Sequence, residues 1–508
     1  MILKKLFANL PFLIALVSLV AVSFSPPMAK QANASSPGIE LVEIGRYYGE
    51  VWEISAYDPI TKRLFVTGEG SDVEVLDLSN PASPVLVDSL PYVATSVAVK
   101  NGVLAVAVPN PTDKTINGQV YLYDDLASLE NPVGIEVGAL PDMLTFTPDG
   151  RRILVANEGE RGDLVDPPGS VSIIDVSRGI AKANEKKATF ERFNNQRDRL
   201  VAKGVRIFPD AQSVAQDLEP EYIAISDDGK TAWITLQENN SIAILHIPAA
   251  TFFQIVPLGL KDHNLPGNAL DASDRDGKIN IQNWPVYGMY MPDGIAAYQI
   301  AGETYLITGN EGDDRGENGR VSSLTLDPTV FPDAAMLQKS ANLGRLNVST
   351  IDGDANGDGL YEKLYSYGAR SFSIWNASGQ QVFDSGDQFE QLTSAFTPSL
   401  FNADAGDPAL FDTRSDNKGP EPEGVAVGDI DGRNYAFIGL ERAGGGVMVY
   451  EVSNPRSPSF VQYVRSDQDV APEGLLFVSA QESPNGIPLL VVTNEVSKTT
   501  TIYEIHSR

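Results

Sequence analysis

The chain has 508 residues, 42% hydrophobic and 21% charged, a composition that excludes wholesale disorder and allows a sizeable core. Lys and Arg number 38 against 67 Asp and Glu, a net charge of −29 that repels nucleic acid and anionic membranes and favours cation partners. Cysteine is absent and histidine numbers 3, which removes disulfides, thiolate nucleophiles, Cys-ligated metals and histidine-rich metal centres.

In chain order, Lys4 and Lys5 precede an apolar run from Phe12 to Val22, and Ala32-Asn33-Ala34 follows with the small residues of a cleavage site. The expected leader is residues 1–34, cleaved after Ala34. It leaves no stable membrane span and places the mature chain in a secreted, periplasmic or cell-surface compartment. Beyond it the texture is all-β: short β-branched runs such as Arg152–Ala156, Ser170–Ile174 and Thr231–Thr235, bounded by Asp-Gly, Asn-Gly and Ser-Asn-Pro turns. A WD40- or YVTN-like unit repeats, opening with Pro and an acid at Pro141-Asp142, Pro220-Glu221, Pro292-Asp293, Pro422-Glu423 and Pro472-Glu473. Degenerate copies sit near Ile54–Tyr57 and Ser96–Val99. Seven such units predict a seven-bladed β-propeller over residues 35–508 as a single domain, with Ile39–Tyr47 pairing beside Thr500–Ile505. Long insertions are expected near 177–219, 250–291 and 321–420, with a short amphipathic helix over 183–203.

Two features carry candidate chemistry. In Asp354-Ala355-Asn356-Gly357-Asp358-Gly359-Leu360-Tyr361-Glu362, oxygen side chains at alternate positions around glycine suit a hard cation. Asp354, Asn356, Asp358 and Glu362 are the expected metal ligands, with Ca²⁺ as the cofactor and other divalent cations open. A register from Asp352 lacks an acid at its twelfth position, Lys363, and an Asx-rich turn without metal is the plain alternative. Asp274-Arg275-Asp276-Gly277 and Asp429-Ile430-Asp431-Gly432 read as turns.

The second feature follows from blade geometry. In each blade the first strand starts, and the second ends, at the same rim. The starts carry Asp142, Glu221, Asp293, Glu423 and Glu473; the ends carry Glu69, Glu158, Glu238, Glu311, Glu441 and Glu495. An acidic channel mouth is therefore expected to bind divalent cations or substrate, because crowded carboxylates cannot all ionise without counter-charge. A solvated acidic rim is the alternative. Arg370 and Arg442 are candidate anion-binding groups, Arg161 and Lys418 are further counter-charges, and His263 is the one histidine worth testing for function, with a structural role as its leading reading. No G-x-S-x-G, Walker or H-E-x-x-H pattern occurs, so catalytic residues are not identified.

Ile153–Gly159, Asp217–Tyr222, Gly259–His263, Asn310–Asp313, Gly368–Trp375, Lys418–Gly424 and Asn494-Glu495 together resemble the choice-of-anchor I domain. That exported propeller is shared with animal mesenchyme-specific cell-surface glycoproteins linked to mineralised skeletons. The resemblance implies a surface or secreted propeller with a calcium role, and supplies no reaction. Two readings result. One is a calcium-binding surface or secreted binding protein, or scaffold, with a protein, phosphorylated or mineral partner. The other is a calcium-dependent, alkaline phosphatase-like phosphoesterase with its site at the acidic mouth, Ca²⁺ polarising the phosphoryl group and Arg370 or Arg442 stabilising charge.

Overall fold

Short apolar runs bounded by turn residues bury both faces only when sheets stack on one another, and that is the arrangement found. The structure, a computed structural model, describes residues 38–508 apart from position 69. The expected leader and Glu69 lie outside the described residues. Ile39–Arg508 forms one compact unit. The chain is all-β and propeller-like: among the described residues, seven four-stranded antiparallel sheets follow one another.

Each sheet begins with a strand at the degenerate or Pro-acid repeat starts: Ser55–Asp58, Ser96–Lys100, Pro141–Phe146, Ile223–Ile225, Ile295–Ile300, Pro422–Ile430 and Pro472–Val478. The seventh sheet is completed from the opposite end of the chain. Ile39–Tyr48 pairs antiparallel with Thr499–Ser507, Ile39 opposite Ser507 and Tyr48 opposite Thr499.

An apolar cluster lies between each consecutive pair of sheets. Ala56, Phe65 and Val75 of the first meet Val97, Leu104 and Val106 of the second. Tyr57, Leu64 and Val66, on the alternate face of the first sheet, meet Val478, Leu489 and Val491 of the seventh. Period-two alternation thus sends neighbouring residues into different interfaces, so inner strands are apolar on both faces. Full burial of each such Leu or Val is worth about 1.5–3 kcal/mol.

The insertions differ from expectation. Asn184–Thr189 and Thr251–Pro257 are the fourth strands of the third and fourth sheets. Phe372–Asn376 and Gln381–Asp384 complete the fifth, whose second strand ends at Gly309. Outer strands have one half-solvated face, so a sequence such as Asn184-Glu185-Lys186-Lys187-Ala188-Thr189 carries no apolar stripe. The helix expected over 183–203 is confined to Arg197–Lys203, after a 3-10 segment Glu191–Gln196. Phe190, Phe193 and Leu200 are buried in the cluster between the third and fourth sheets. A three-stranded sheet (Leu260–Asp262, Tyr287–Met289, Tyr365–Ser366) and a two-stranded one (Asn318–Arg320, Asn347–Ser349) lie in the long connections. No helix of the described residues is long and apolar enough to cross a membrane.

Candidate functional site: an acidic mouth

A local device recurs where the third, sixth and seventh sheets begin. Leu140, Glu421 and Ala471 adopt left-handed backbone (φ 45, 48 and 60) immediately before a proline. Their carbonyls accept the amides of Glu158, Glu441 and Glu495, the residues that end the returning strands. Proline offers no N–H to the ladder, and register shifts follow between Pro141 and Leu144, Pro422 and Val425, and Pro472 and Leu475. The bulge holds the acid after each proline, Asp142, Glu423 or Glu473, beside the acid that ends the next strand. The asparagine before the end acid is structural. Asn157 is buried and bonds Ser170, Ser172 and the Gly138 amide, and Asn310 likewise bonds Ser371 and Ser373.

Glycine then lets the sheets close on one another. A β-carbon on Gly294 would stand 2.5 Å from the Glu423 carbonyl, and on Gly424 2.2 Å from that of Glu473. Backbone contact of this kind packs the acid-bearing bulges side by side.

A cavity of about 890 Å³ results. Nine of the ten expected mouth acids within the described residues line it: Asp142, Glu221, Asp293, Glu423 and Glu473 at strand starts, and Glu158, Glu311, Glu441 and Glu495 at strand ends. Glu238 lines an adjoining cavity of about 1010 Å³ that Glu158 and Glu221 share. Burial, then repulsion from neighbouring acids, pushes Glu158, Glu221, Asp293 and Glu423 well above the usual carboxylate range. Burial raises Asp142 to about 6 and, with Glu421 and Glu311, Glu441 to about 8. Glu473 is raised by burial and by Glu441, while a hydrogen bond from the Glu423 carboxyl opposes the rise. The pair Glu423–Glu473 shares a proton more readily than it carries two charges.

One side of the mouth supplies its own counter-charge. Carboxylate oxygens of Glu311, Glu421 and Glu441 lie within 4.8 Å of one another. Lys418 Nζ reaches Glu311 and stands 3.5 Å from Glu421; Arg414 Nη2 is 2.6 Å from Glu421 and Arg442 Nη1 2.6 Å from Glu441. Sequence reasoning missed Arg414, which lies on a single long connection, and also the lining residues Glu421 and Glu53. Glu421 shares the pre-proline position of Leu140 and Ala471, where no other sheet start of this device carries an acid. Glu53 matches Glu221, its amide bonded to Thr67 as that of Glu221 is to Thr235, but it lacks the preceding proline that marks the repeat. It also missed Arg315, which pairs with Glu219 at 2.6 Å and Asp217 at 3.3 Å in the adjoining cavity. Arg206 and Arg315 both lie 4.5 Å from the centre of the Phe208 ring.

Asp354, Asp358 and Glu362 bring carboxylate oxygens within 4.8 Å of one another. Asp354 accepts the amides of Gly357 at 2.7 Å and Gly359 at 2.9 Å, and the Asn356 side-chain amide donates to Glu362 at 2.6 Å. The loop is thus wound around its acids, with an oxygen-rich donor set that suits calcium. Asp352, which opens the alternative register, is turned away to Arg206 at 2.9 Å.

One expectation is corrected, and the structural reading of His263 holds. Arg370 is not at the mouth. Its guanidinium is buried, 2.5 Å from Glu390, and also donates to the carbonyls of Asp271, Ser415 and Asn417, so the four protons of its two terminal nitrogens, the fork an anion would use, are already committed. His263 is buried, bonds the Asn268 carbonyl through Nδ1 at 2.7 Å, and is held neutral by burial and by Lys261; it is structural.

The family description of the choice-of-anchor I domain matches residues 53–455. Gigasin-3a of Magallana gigas is 31% identical over 191 residues, 33% of this chain and 66% of that protein. The mesenchyme-specific cell surface glycoprotein of Strongylocentrotus purpuratus is 27% identical over 272 residues, 46% of this chain and 35% of that protein. The chain spans less than two thirds of either relative's length. Among solved structures, the Cps50 (Swd1) β-propeller domain of Myceliophteria thermophila aligns over 92% of this chain and 99% of its own, at 8% identity and TM-score 0.45.

Proposed function

We propose that this chain, which belongs to the choice-of-anchor I domain family, is an exported, calcium-binding seven-bladed β-propeller that works as a surface or secreted binding protein. Seven four-stranded sheets with apolar packing between the seventh and the first support the blade count. The cell-surface relative supports the location. The observation that carries the reading is the convergence of nine carboxylates on one cavity, where burial raises the proton affinity of Asp142, Glu158, Glu221, Asp293, Glu423, Glu441 and Glu473. Such a site holds either protons or hard cations. A cation seated there would have coordination positions left for a partner's carboxylate, phosphate or mineral surface. The phosphoesterase reading needs a free arginine beside the metal. Arg370 is committed to Glu390, and Arg442 faces Glu441, so binding is the better reading.

Thermal melts test it. In a chain carrying Asp354→Ala and Asp358→Ala, calcium should raise the melting temperature well beyond sodium of equal ionic strength. Mass action gives about 2.7 kcal/mol at a hundredfold excess over Kd. Glu423→Gln with Glu473→Gln should remove that gain. A melt indifferent to calcium in the first chain would leave the mouth a protonated or solvated rim.

A further inference from the structure

A second buried oxygen cluster lies away from the mouth, where two long connections meet. Asp271 and Asp276 come from the segment between the fourth and fifth sheets; Glu390, Asn402, Asp412 and Ser415 come from the segment between the fifth and sixth. The sequence reads Asp276-Gly277 as part of a turn, and nothing in the repeat pattern marks the rest.

The hydrogen bonds can be followed atom by atom. Glu390 is saturated: Oε2 accepts the Asp271 amide at 2.8 Å, and Oε1 accepts Arg370 at 2.5 Å and Asn402 Nδ2 at 3.1 Å. Asp271 accepts the amides of Ser273 and Asn280. Asp412 accepts Ser415 Oγ at 2.5 Å through Oδ1, and that same hydroxyl oxygen accepts Asn402 Nδ2 at 2.9 Å. Asp276 Oδ1 accepts the Lys278 amide at 3.1 Å. Three buried acceptors then remain with no donor: Asp276 Oδ2, Asn402 Oδ1 and Asp412 Oδ2. Asn402 is 0% and Asp412 2% exposed. Asn402 is not an acid, and its amide sits between Glu390 and Ser415, so its unmet oxygen is evidence separate from the clustering of carboxylates.

Burial without a partner leaves the desolvation cost of a carboxylate or amide oxygen unrepaid. The unmet atoms of Asp276, Asn402 and Asp412 are all acceptors; Trp284 Nε1, beside Asp271, is a buried donor that no residue meets. The acids are close enough to act on one another: Glu390 and Asp276 help burial raise Asp271 to about 7, and Asp271, Asp276 and Glu390 help burial raise Asp412 to about 8. Arg370 spends the four protons of its terminal nitrogens on Glu390 and three carbonyls. A set of oxygens with no sulfur or imidazole among them selects a hard cation.

We propose that Asp276, Asn402 and Asp412 hold a buried divalent cation, calcium by its donor set, which staples the two long connections together. Glu390 orients the site through Asn402 and Asp271 and is a positioning residue. The connection so anchored continues to Arg414 and Lys418, counter-charges of the mouth, and to Glu421, which both of them reach. The site stands whether or not the mouth binds metal.

The test uses the full chain with Asp354→Ala and Asp358→Ala, so that the exposed loop contributes nothing. Calcium bound after dialysis is counted by elemental analysis, and Asp412→Asn and Asp276→Asn are added singly. Each should lower the count by one equivalent or weaken that equivalent by about tenfold or more. Asp276 lies on a half-buried turn, so its variant remains informative if Asp412→Asn fails to fold. Terbium supplies a second reading. Trp284 packs with Leu270 and Ala272, beside Asp271, so indole excitation should sensitise bound terbium and Trp284→Phe should dim it with calcium stoichiometry unchanged. A count unchanged by both Asn substitutions, or terbium emission indifferent to Asp276→Asn and to Trp284→Phe, overturns the site and leaves a protonated carboxyl or a buried water there.

Discussion

The carbonyl oxygen of Glu53 stands 2.1 Å from where a β-carbon of Gly474 would be. The contact joins the seventh sheet to the chain leading into the first, and Thr493 Oγ1 donates to the same carbonyl. Gly474→Ala should therefore force the seam apart and destabilise the chain by about 1–3 kcal/mol, the usual cost of overpacking. Gly486 has open space around it and φ +78, so Gly486→Ala meets only backbone strain and should cost about 1 kcal/mol. Denaturant melts of the two variants check the ranking. Equal losses would mean that the seam is not tightly packed.

The exposed loop makes a separate prediction. Asp354→Ala with Asp358→Ala should abolish one calcium site in calorimetry, because the carboxylates converging within 4.8 Å would be reduced to Glu362 alone. The global melt without calcium should move little, since the loop's acids are not in an apolar cluster. Unchanged calcium stoichiometry would identify the loop as an Asx-type turn.

What the sequence disclosed was what repeats. Pro141-Asp142, Pro422-Glu423 and Pro472-Glu473 mark a bulge that each of three sheets uses, so spacing alone places their acids at one rim. Lys418 was legible only as a nearby charge, and Arg414 not at all, because both arrive on a connection that occurs once and no periodicity announces where a single loop folds back. Arg370 was misplaced for the same reason. Its partners Glu390, Asp271, Ser415 and Asn417 are between 20 and 99 residues away along the chain, and charge near a motif does not reveal burial. Outer strands such as Asn184–Thr189 were hidden because a half-solvated edge needs no apolar alternation.

The mouth should impose a pH dependence. Burial raises Asp142 from 3.8 to about 6, and burial with Glu421 and Glu311 raises Glu441 from 4.5 to about 8. Between those unfolded and folded values the native state binds more protons than the unfolded chain, so stability falls as pH rises. The stabilisation is complete below the unfolded values and lost on passing the folded ones. With calcium chelated, this contribution should lower the melting temperature from about pH 4 to about pH 8. The gain on adding calcium should grow over the same interval, as protons leave the carboxylates. Glu441→Gln should flatten the upper part of the decline. A melting temperature that rises across this window without calcium would show that the mouth acids are ionised in the apo chain.

Arg370 offers the sharpest separation between a structural and an anion-binding role. Its guanidinium makes four hydrogen bonds that join three segments: Glu390 from a short helix, the Asp271 carbonyl from the preceding connection, and the Ser415 and Asn417 carbonyls from the following one. Removing one partner of a buried pair leaves the other charge uncompensated, at a cost of about 3–5 kcal/mol. Arg370→Ala should therefore lower stability by about that amount, and Arg370→Lys should recover only part, since one ammonium cannot reach a carboxylate and three carbonyls as a planar fork does. Glu390→Ala should be similarly costly, and the double variant less than additive, because each single change already breaks the same pair. Phosphate affinity should be unaffected in any variant that stays folded. Reduced phosphate affinity with a normal melt in Arg370→Lys would return Arg370 to the anion-binding role and revive the phosphoesterase reading.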